Sequence, residues 1–257
     1  MMAHMNETLQ NSALRALVIF SGGQDSTTCL ALAQREHGKE NVECITFSYG
    51  QRHALEVEVA QKIAKELGVT HHRIVNIDGY AQLTQSALLN PGIEISPLVN
   101  TVNPVTGVQT TTLPNTVVDG RNMMFLLMAA IVAKQRGIHD LYTGVCETDS
   151  SGYPDCRDVF IKSCNATLNL AMEYDFRIHT PLMWLNKAQT WALADELGLL
   201  DYIEANTLTC YNGIVGRGCG TCPACKLRAR GLGAYRGQGF RLRDAYGGQA
   251  GVGGRGE

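Results

Sequence analysis

Residues 21–26, SGGQDS, combine the residue types and the position that phosphate binding requires. They follow residues 17–20, a short apolar run typical of a strand that is buried on both faces. Two adjacent glycines allow positive φ and let backbone N–H groups approach a ligand closely. We predict that a helix follows, capped by Asp25 or Ser26, whose N-terminus adds unpaired N–H groups and partial positive charge. The segment is therefore expected to bind the phosphates of a nucleotide.

This segment is not the common nucleotide loop, because GxxxxGK[ST] is absent and the segment has no lysine to reach the β- and γ-phosphates. Its SGGxDS pattern resembles the PP-loop of ATP pyrophosphatases, which grips the pyrophosphate of ATP and exposes the α-phosphate to attack. An ordinary strand–turn–helix corner is the alternative interpretation. The candidate ATP-binding residues are Phe20, Ser21, Gly22, Gly23, Gln24, Asp25, Ser26, Thr27, Thr28, Arg121 and Asn122. The candidates for a catalytic role are Ser21, Asp25, Ser26 and Arg121.

Four of the nine cysteines have the spacing of a metal site. Cys210, Cys219, Cys222 and Cys225 follow C-x8-C-x2-C-x2-C, and nearby glycines allow the backbone to wrap around an ion. Four thiolates are what tetrahedral Zn²⁺ requires, and they leave no open position, so we expect one structural zinc per chain. An iron–sulfur cluster is the alternative for four cysteines. The other five cysteines are interpreted mostly as small buried hydrophobic residues.

A polar loop, residues 144–158, follows a further predicted strand. Because ligands of doubly wound folds bind at the carboxyl ends of the strands, this loop should face residues 21–26 across one crevice. Its carboxylates suit the donors of an amino-purine edge, and its arginine suits a carboxylate. A solvated surface loop is the alternative. The candidate substrate-binding residues are Glu147, Asp149, Ser150, Tyr153, Asp155 and Arg157.

Two further segments could contribute to the same crevice. Arg121, at the start of a predicted helix, could place its guanidinium near phosphates, or it could be an exposed residue at a helix cap. Residues 51–53, QRH, follow the second predicted strand and could line the crevice.

Strands and helices alternate along the chain, which predicts parallel βαβ units with right-handed crossovers. The expected fold class is α/β, with a doubly wound, mainly parallel sheet and a small C-terminal four-cysteine zinc module. The expected strands are residues 14–20, 42–47, 73–77, 140–145 and 178–182, and the later helices are 55–67, 121–135, 158–173 and 187–197, the last capped by Asn186. The expected divisions are a disordered tail over 1–13, a nucleotide-binding domain over 14–205, the zinc module over 206–232 and a glycine-rich tail over 233–257. Residues 81–114, rich in Thr, Asn and Pro, are expected to be either a lid or binding loop, or disordered.

Length and charge exclude several classes of protein. The chain has 257 residues, no apolar run near the ~20 residues that a membrane span needs, and no secretory signal, so a cytoplasmic location is expected. The net charge of −2 disfavours binding to nucleic acid. From Cys210 to the end, eight Lys and Arg against two acidic residues give +6, so the remainder of the chain carries −8.

A set of segments across residues 17–231 resembles the QueC family of queuosine biosynthesis, the 7-cyano-7-deazaguanine synthases. The segments are FSGGQDSTTCL, FSYGQRH, GRN, TGVCETDSSGYPDCRD, PLMW and LTCYNG with GCGTCPACKLRA. The resemblance implies an adenine-nucleotide alpha-hydrolase-like fold and a homodimer. The insert of residues 81–114 and the glycine-rich tail match no motif of that family.

The resemblance also implies a reaction. ATP and ammonia would convert 7-carboxy-7-deazaguanine to the nitrile 7-cyano-7-deazaguanine (preQ0), through an activated acid and an amide, with no nucleic acid or membrane required. Mg²⁺ should accompany ATP, with Asp25 as the nearest candidate to hold it. The sequence has no glutaminase motif, so free ammonia is expected. The loop favours AMP and pyrophosphate as products, and an ADP-forming route stays open.

Two other functions fit parts of the sequence. One is a PP-loop enzyme that modifies tRNA, either a thiolase or a lysidine-type ligase. A thiolase needs a reactive cysteine near the nucleotide, and Cys146 and Cys156 are expected to lie in the crevice. The other is a zinc-ribbon module that binds nucleic acid, which the +6 segment supports and the acidic remainder does not.

Overall fold

The centre of the molecule is a parallel five-stranded sheet with helices on both faces. The computed structural model describes residues 15–50, 55–90, 92–95, 99–102, 109–148 and 152–238. Its strands are β1 (Ala16–Ile19), β2 (Val42–Ser48), β3 (His72–Asn76), β4 (Val99–Val102), β5 (Gln109–Thr112), β6 (Asp140–Tyr142) and β7 (Arg177–His179). Its helices are α1 (Gln24–His37), α2 (Leu55–Glu66), α3 (Arg121–Gln135), α4 (Asp158–Met172), α5 (Lys187–Glu196), α6 (Leu200–Asn206) and α7 (Pro223–Gln238). The predicted α/β class with a doubly wound, mainly parallel sheet is confirmed.

The order of the strands in the main sheet is β3-β2-β1-β6-β7, and each neighbouring pair is parallel. The chain builds outwards from β1 to β3 and then returns to the other side of β1. The direction of winding therefore reverses between β1 and β6, and such a switch point leaves a crevice at the carboxyl ends of the strands. The loops that carry residues 21–26 and residues 144–158 both start at this point.

Alternate residues of β1 belong to different hydrophobic cores. Leu17 packs with buried residues of α3 and α4 on one face, while Val18 packs with α1 and α2 on the other. The second core also contains Cys210, Cys222 and Cys225. The four-cysteine segment thus shares a hydrophobic core with α1 and α2.

Helix α7 crosses the boundary expected between the zinc module and the tail, since it continues from Pro223 to Gln238. Glycine disfavours helix, and that is why the sequence indicated a tail here. Packing against α5 compensates, because Leu232 and Tyr235 contact the core around Trp191, and Tyr235 Oη donates to Asp195. Residues 1–13, the remainder of the tail and residues 51–53 lie outside the described residues.

Residues 81–114 contain an element that the sequence did not indicate. Strands β4 and β5 form an antiparallel hairpin in which Val99 pairs with Thr112. Ala87 is buried, and Leu89 is buried in the core on the α3 side. In its described parts this region is therefore ordered. Across all the residues that the structure describes, no helix is long and apolar enough to cross a membrane.

The start of β6 carries an ion-pair cluster that should make stability depend on pH. Burial raises the pKa of Asp140, but hydrogen bonds from His179 and Arg177 outweigh it and lower that pKa to about 2. A carboxyl with a depressed folded-state pKa stabilises the fold above its ordinary pKa, and this stabilisation is lost as the pH falls towards about 2.

We therefore expect Asp140→Asn to reduce the free energy of unfolding by about 1–2 kcal/mol at neutral pH, and by much less at low pH. Urea unfolding of both proteins across the acid range measures the difference. A difference that stays constant with pH would contradict the assignment.

Candidate active site

The phosphate loop, residues 21–26, has a backbone that requires glycine. Gly22 has φ +73°, and a Cβ atom there would lie 2.9 Å from the backbone nitrogen of Ala60 in α2. The segment that follows β6 also packs closely against this loop. A Cβ atom at Gly144 would lie 3.1 Å from the Asp25 carbonyl carbon and 3.1 Å from the Ser26 nitrogen. The two loops therefore meet at the switch point, as expected from the sequence.

The first turn of α1 is organised differently from the prediction. The N-cap residue is Gly23, which has no side chain, so the predicted capping by Asp25 or Ser26 is wrong. Ser26 Oγ accepts from the backbone N–H of Ser21 at 3.2 Å and lies 3.1 Å from Ser21 Oγ. The hydroxyls thus close the loop on itself and leave the Asp25 carboxylate for another partner.

That partner is a lysine that the sequence analysis did not assign. Lys187 Nζ donates to Asp25 Oδ2 at 2.6 Å, and only 10% of the lysine side chain is exposed. Lys187 is the first residue of α5, which has the predicted Asn186 cap. Asn186 Oδ1 accepts from the Gln189 N–H at 3.0 Å, and Gln189 Oε1 accepts from the Asn186 N–H at 2.7 Å. The loop has no lysine of its own, and the fold brings one from 162 positions further along the chain.

The phosphate loop also has polar atoms suited to a bound cation. Asp25 Oδ1 is buried, and within the described residues it has no hydrogen-bond partner; the same is true of both Gln24 amide atoms. A buried carboxylate oxygen without a donor is costly in isolation and is the ligand that Mg²⁺ prefers. These residues therefore fit a metal ion bound with ATP.

The four-cysteine segment holds the phosphate loop directly. Leu208 N donates to Gly22 O at 3.0 Å, and Thr209 Oγ1 accepts from Gln24 N at 3.3 Å. The same hydroxyl accepts from the buried guanidinium of Arg228 at 2.9 Å. Arg228 in turn lies over the Trp191 ring, 5.2 Å from its centroid. A chain of contacts thus runs from α5 and α7 to the first turn of α1.

We expect Thr209→Val to lower kcat/KM for ATP about tenfold, whereas Thr209→Ser retains most activity. The variant leaves the N–H of Gln24 without its acceptor, which costs ~1–3 kcal/mol, and removes one of several acceptors of the buried Arg228 guanidinium. Steady-state kinetics with ATP varied measures the effect. Equal rates for the two variants would contradict a positioning role for the hydroxyl.

The four predicted metal ligands form one cluster. Their Sγ atoms all lie within 4.8 Å of one another, and Cys219 Sγ is 3.9 Å from Cys225 Sγ. Hydrogen bonds from the Thr221 hydroxyl and from backbone N–H groups lower the pKa of Cys219 to about 5, which favours the thiolate that a metal requires. At Gly218, with φ +71°, a Cβ atom would lie 2.3 Å from Cys225 Sγ, so the loop wraps as tightly as glycine allows. This donor set fits a structural metal ion.

In the polar loop after β6, two predicted carboxylates accept from the starts of helices. Glu147 Oε2 accepts from the Asp158 N–H at 2.9 Å, at the start of α4. Asp155 Oδ2 accepts from the Asn122 N–H at 3.0 Å, at the start of α3. Arg157 is exposed at the N-cap position of α4. Asp149 and Ser150 lie outside the described residues.

Other predicted ATP ligands have internal roles. Thr27 and Thr28 donate to backbone carbonyls one turn earlier, at 2.8 and 2.9 Å, and both are buried. Phe20 is buried in the core below the loop. Asn122 donates to Asp155 O at 3.0 Å and to a cysteine sulfur at 3.3 Å, and so joins α3 to the polar loop.

Arg121 and Tyr153 remain at the crevice. The guanidinium carbon of Arg121 lies 5.7 Å from the centroid of the Tyr153 ring. Tyr49, at the end of β2, and Tyr211, directly after Cys210, also interact with this guanidinium. Sequence reasoning missed both tyrosines, although the position of Tyr211 beside a metal ligand could have indicated it.

Comparison with known proteins identifies the family. The family model described as Queuosine biosynthesis protein QueC matches residues 15–236. The chain belongs to the QueC family. The match extends from β1 into α7, and so includes the phosphate loop, Lys187 and all four cysteines. QueC membership makes the chain an ATP-utilising PP-loop enzyme of queuosine biosynthesis. Among solved structures, an NH3-dependent NAD synthetase from Campylobacter jejuni subsp. jejuni NCTC 11168, in complex with the nitrate ion, is similar at 15% identity and a TM-score of 0.44, covering 78% of this chain and 72% of that chain.

Proposed function

We propose that this QueC-family enzyme converts 7-carboxy-7-deazaguanine, ammonia and ATP to 7-cyano-7-deazaguanine. The observation that carries the proposal is the single family match over residues 15–236, which includes every part of the phosphate site. The contacts of that site agree with it. The loop, Lys187 and the start of α1 present positive charge and N–H groups to one region at the switch point.

The chemistry has two activations of the same carbon. A carboxylate oxygen of the acid attacks the α-phosphate of ATP, pyrophosphate leaves, and ammonia then displaces AMP to give the amide. The amide oxygen attacks a second ATP in the same way, and loss of AMP with a proton leaves the nitrile. Each AMP therefore removes one of the two carboxylate oxygens.

The chain's own groups stabilise the leaving pyrophosphate. The N–H groups at the start of α1 and the ammonium of Lys187 neutralise charge that develops as the bond to the α-phosphate breaks. Asp25 positions that ammonium through its Oδ2. Its Oδ1 would hold Mg²⁺, which, when bound, supplies further positive charge to the phosphates.

The metal at the four cysteines is proposed to be one structural zinc. Four thiolates complete a tetrahedral site and leave no position for substrate. A homodimer remains part of the proposal, and light scattering of the purified protein measures it.

The decisive assay supplies ATP and ammonium with either the deazapurine acid or unmodified tRNA. We expect the nitrile and AMP with the acid alone, identified by mass spectrometry. ATP consumption that requires tRNA would favour the tRNA-modifying alternative. The structure weakens the other alternative, a zinc-ribbon module that binds nucleic acid, because Arg228 is buried and both Arg217 and Arg236 pair with Glu204, at 3.3 and 2.6 Å. Part of the basic charge of the C-terminal segment is therefore neutralised within the protein.

A further inference from the structure

Arg121 lies among four tyrosines that come from separate parts of the chain. We call Tyr49, Tyr80, Tyr153 and Tyr211 the tyrosine cage. All four interact electrostatically with the Arg121 guanidinium, which faces the Tyr153 ring at 5.7 Å. The cage is supported from outside, since Thr116 Oγ1 lies 2.7 Å from the Tyr153 hydroxyl, Tyr80 Oη donates to Asp119 O, and the Tyr49 ring meets Phe125 edge-on at 5.2 Å.

The guanidinium has phenols around it and no direct counter-ion in the described part of the chain. Among the described residues, no ion pair joins a carboxylate to this guanidinium. Asp155 attracts it, but its Oδ2 accepts from the Asn122 N–H at 3.0 Å, at the start of α3. Burial alone would lower the pKa of Arg121, but the phenols and Asp155 outweigh burial and keep that pKa high. The group is therefore a permanent, partly buried cation, and a bound anion would complete it.

The surroundings select the shape of that anion. Phenol rings offer flat faces for a planar aromatic ring, and a guanidinium matches a carboxylate with two parallel hydrogen bonds. Triphosphate has its own cradle in residues 21–26 and in Lys187, which donates to Asp25 of that loop. The cage is thus suited to a planar aromatic carboxylic acid.

We propose that Arg121 and the tyrosine cage form the subsite for the carboxylic acid substrate, and that Arg121 pairs with its carboxylate. The proposal rests on the function proposed above for the identity of that acid. It reassigns Arg121 from ATP to the acid, and it gives Arg157, exposed at the start of α4, no part in binding the carboxylate. Tyr211 makes the four-cysteine segment one wall of the substrate site.

Isothermal titration, with no turnover, tests the subsite. The probes are the deazapurine acid, its uncharged amide, another planar aromatic acid and a non-hydrolysable ATP analogue. For Arg121→Met we expect affinity for the acid to fall 10- to 100-fold, because a charged hydrogen-bond pair is lost. Affinity for the amide and for the ATP analogue should change less than about threefold. Arg121→Lys should recover part of the loss, and Arg230→Met, an exposed arginine of α7, is the matched control.

Tyr211→Ala tests the wall of the cage. We expect the acid and the amide to lose affinity equally, by about tenfold, because stacking does not depend on the carboxylate. Metal analysis of this variant must show an unchanged metal content, which separates lost stacking from a collapsed cysteine loop.

Three outcomes would overturn the subsite. They are a loss of ATP affinity in Arg121→Met, equal losses for acid and amide in that variant, and a loss of acid affinity in Arg157→Met instead. If the nitrile forms and Arg121→Met still binds the acid normally, the subsite is wrong and the function stands. If no nitrile forms but the other planar acid binds through Arg121, the function is wrong and the subsite stands.

Discussion

Replacing Lys187 with methionine is expected to lower kcat for ATP-dependent turnover about 100- to 1000-fold. The ammonium group of Lys187 contacts the phosphate loop through a 2.6 Å hydrogen bond to Asp25. It is positioned to neutralise charge that appears only as pyrophosphate leaves, so its loss should affect the transition state more than the binding of ATP.

A double-variant cycle separates this catalytic role from a structural one. Removing one partner of a buried ion pair leaves the other uncompensated and destabilises the fold. Lys187→Met with Asp25→Asn removes both charges, so the double variant should regain stability towards urea but no activity. Lys62→Met, an exposed lysine of α2, is the control for loss of a charge. Recovery of activity together with stability in the double variant would show that the pair only holds the fold.

Loss of the metal is expected to raise KM for ATP more than tenfold as well as to destabilise the protein. A closed four-cysteine site by itself suggests an effect on stability alone, because it has no open position for chemistry. The contacts change that expectation. Cys210 directly follows Leu208 and Thr209, which bond to Gly22 and Gln24 of the phosphate loop and its helix. A structural zinc contributes on the order of 10 kcal/mol, so its loss should release these contacts.

Titration of the intact enzyme with a chelator tests this without a variant that fails to fold. Zinc release and ATP affinity are measured on the same samples and should change together. Gly218→Ala should reproduce the effect, because its Cβ would overlap Cys225 Sγ. Cys164→Ala, at a buried cysteine on the other face of the sheet, should leave metal content unchanged. A metal-free protein that binds ATP normally would contradict the link between the metal and the phosphate loop, and iron in place of zinc would contradict the proposed metal.

Local patterns in the sequence predicted most of the elements, because each depends on residues close together in the chain. Helix α3 has its predicted bounds, and the Asn186 cap and the positions of the five main strands follow from apolar periodicity and cap residues. Helix α7 is different. Its glycines disfavour a helix locally, and contacts with Trp191, 37 residues from Arg228, stabilise it.

Sequence separation also explains which parts of the candidate site could be predicted. The glycines and hydroxyls of residues 21–26 are adjacent, so their motif could be recognised, and the four cysteines fall within sixteen positions. The Asp25–Lys187 pair joins residues 162 positions apart, and Thr209 reaches Gln24 across 185 positions. Such pairs depend on how helices pack around the sheet, and no local pattern records that packing.

Oxygen-18 in both carboxylate oxygens of 7-carboxy-7-deazaguanine tests whether the acid attacks the α-phosphate of ATP. After complete conversion to the nitrile, mass spectrometry locates the label among the products. We predict two AMP for each nitrile, with one labelled oxygen in each AMP and none in pyrophosphate. Label in inorganic phosphate with ADP as the nucleotide product would show attack on the γ-phosphate, and would contradict the role proposed for the phosphate loop and Lys187.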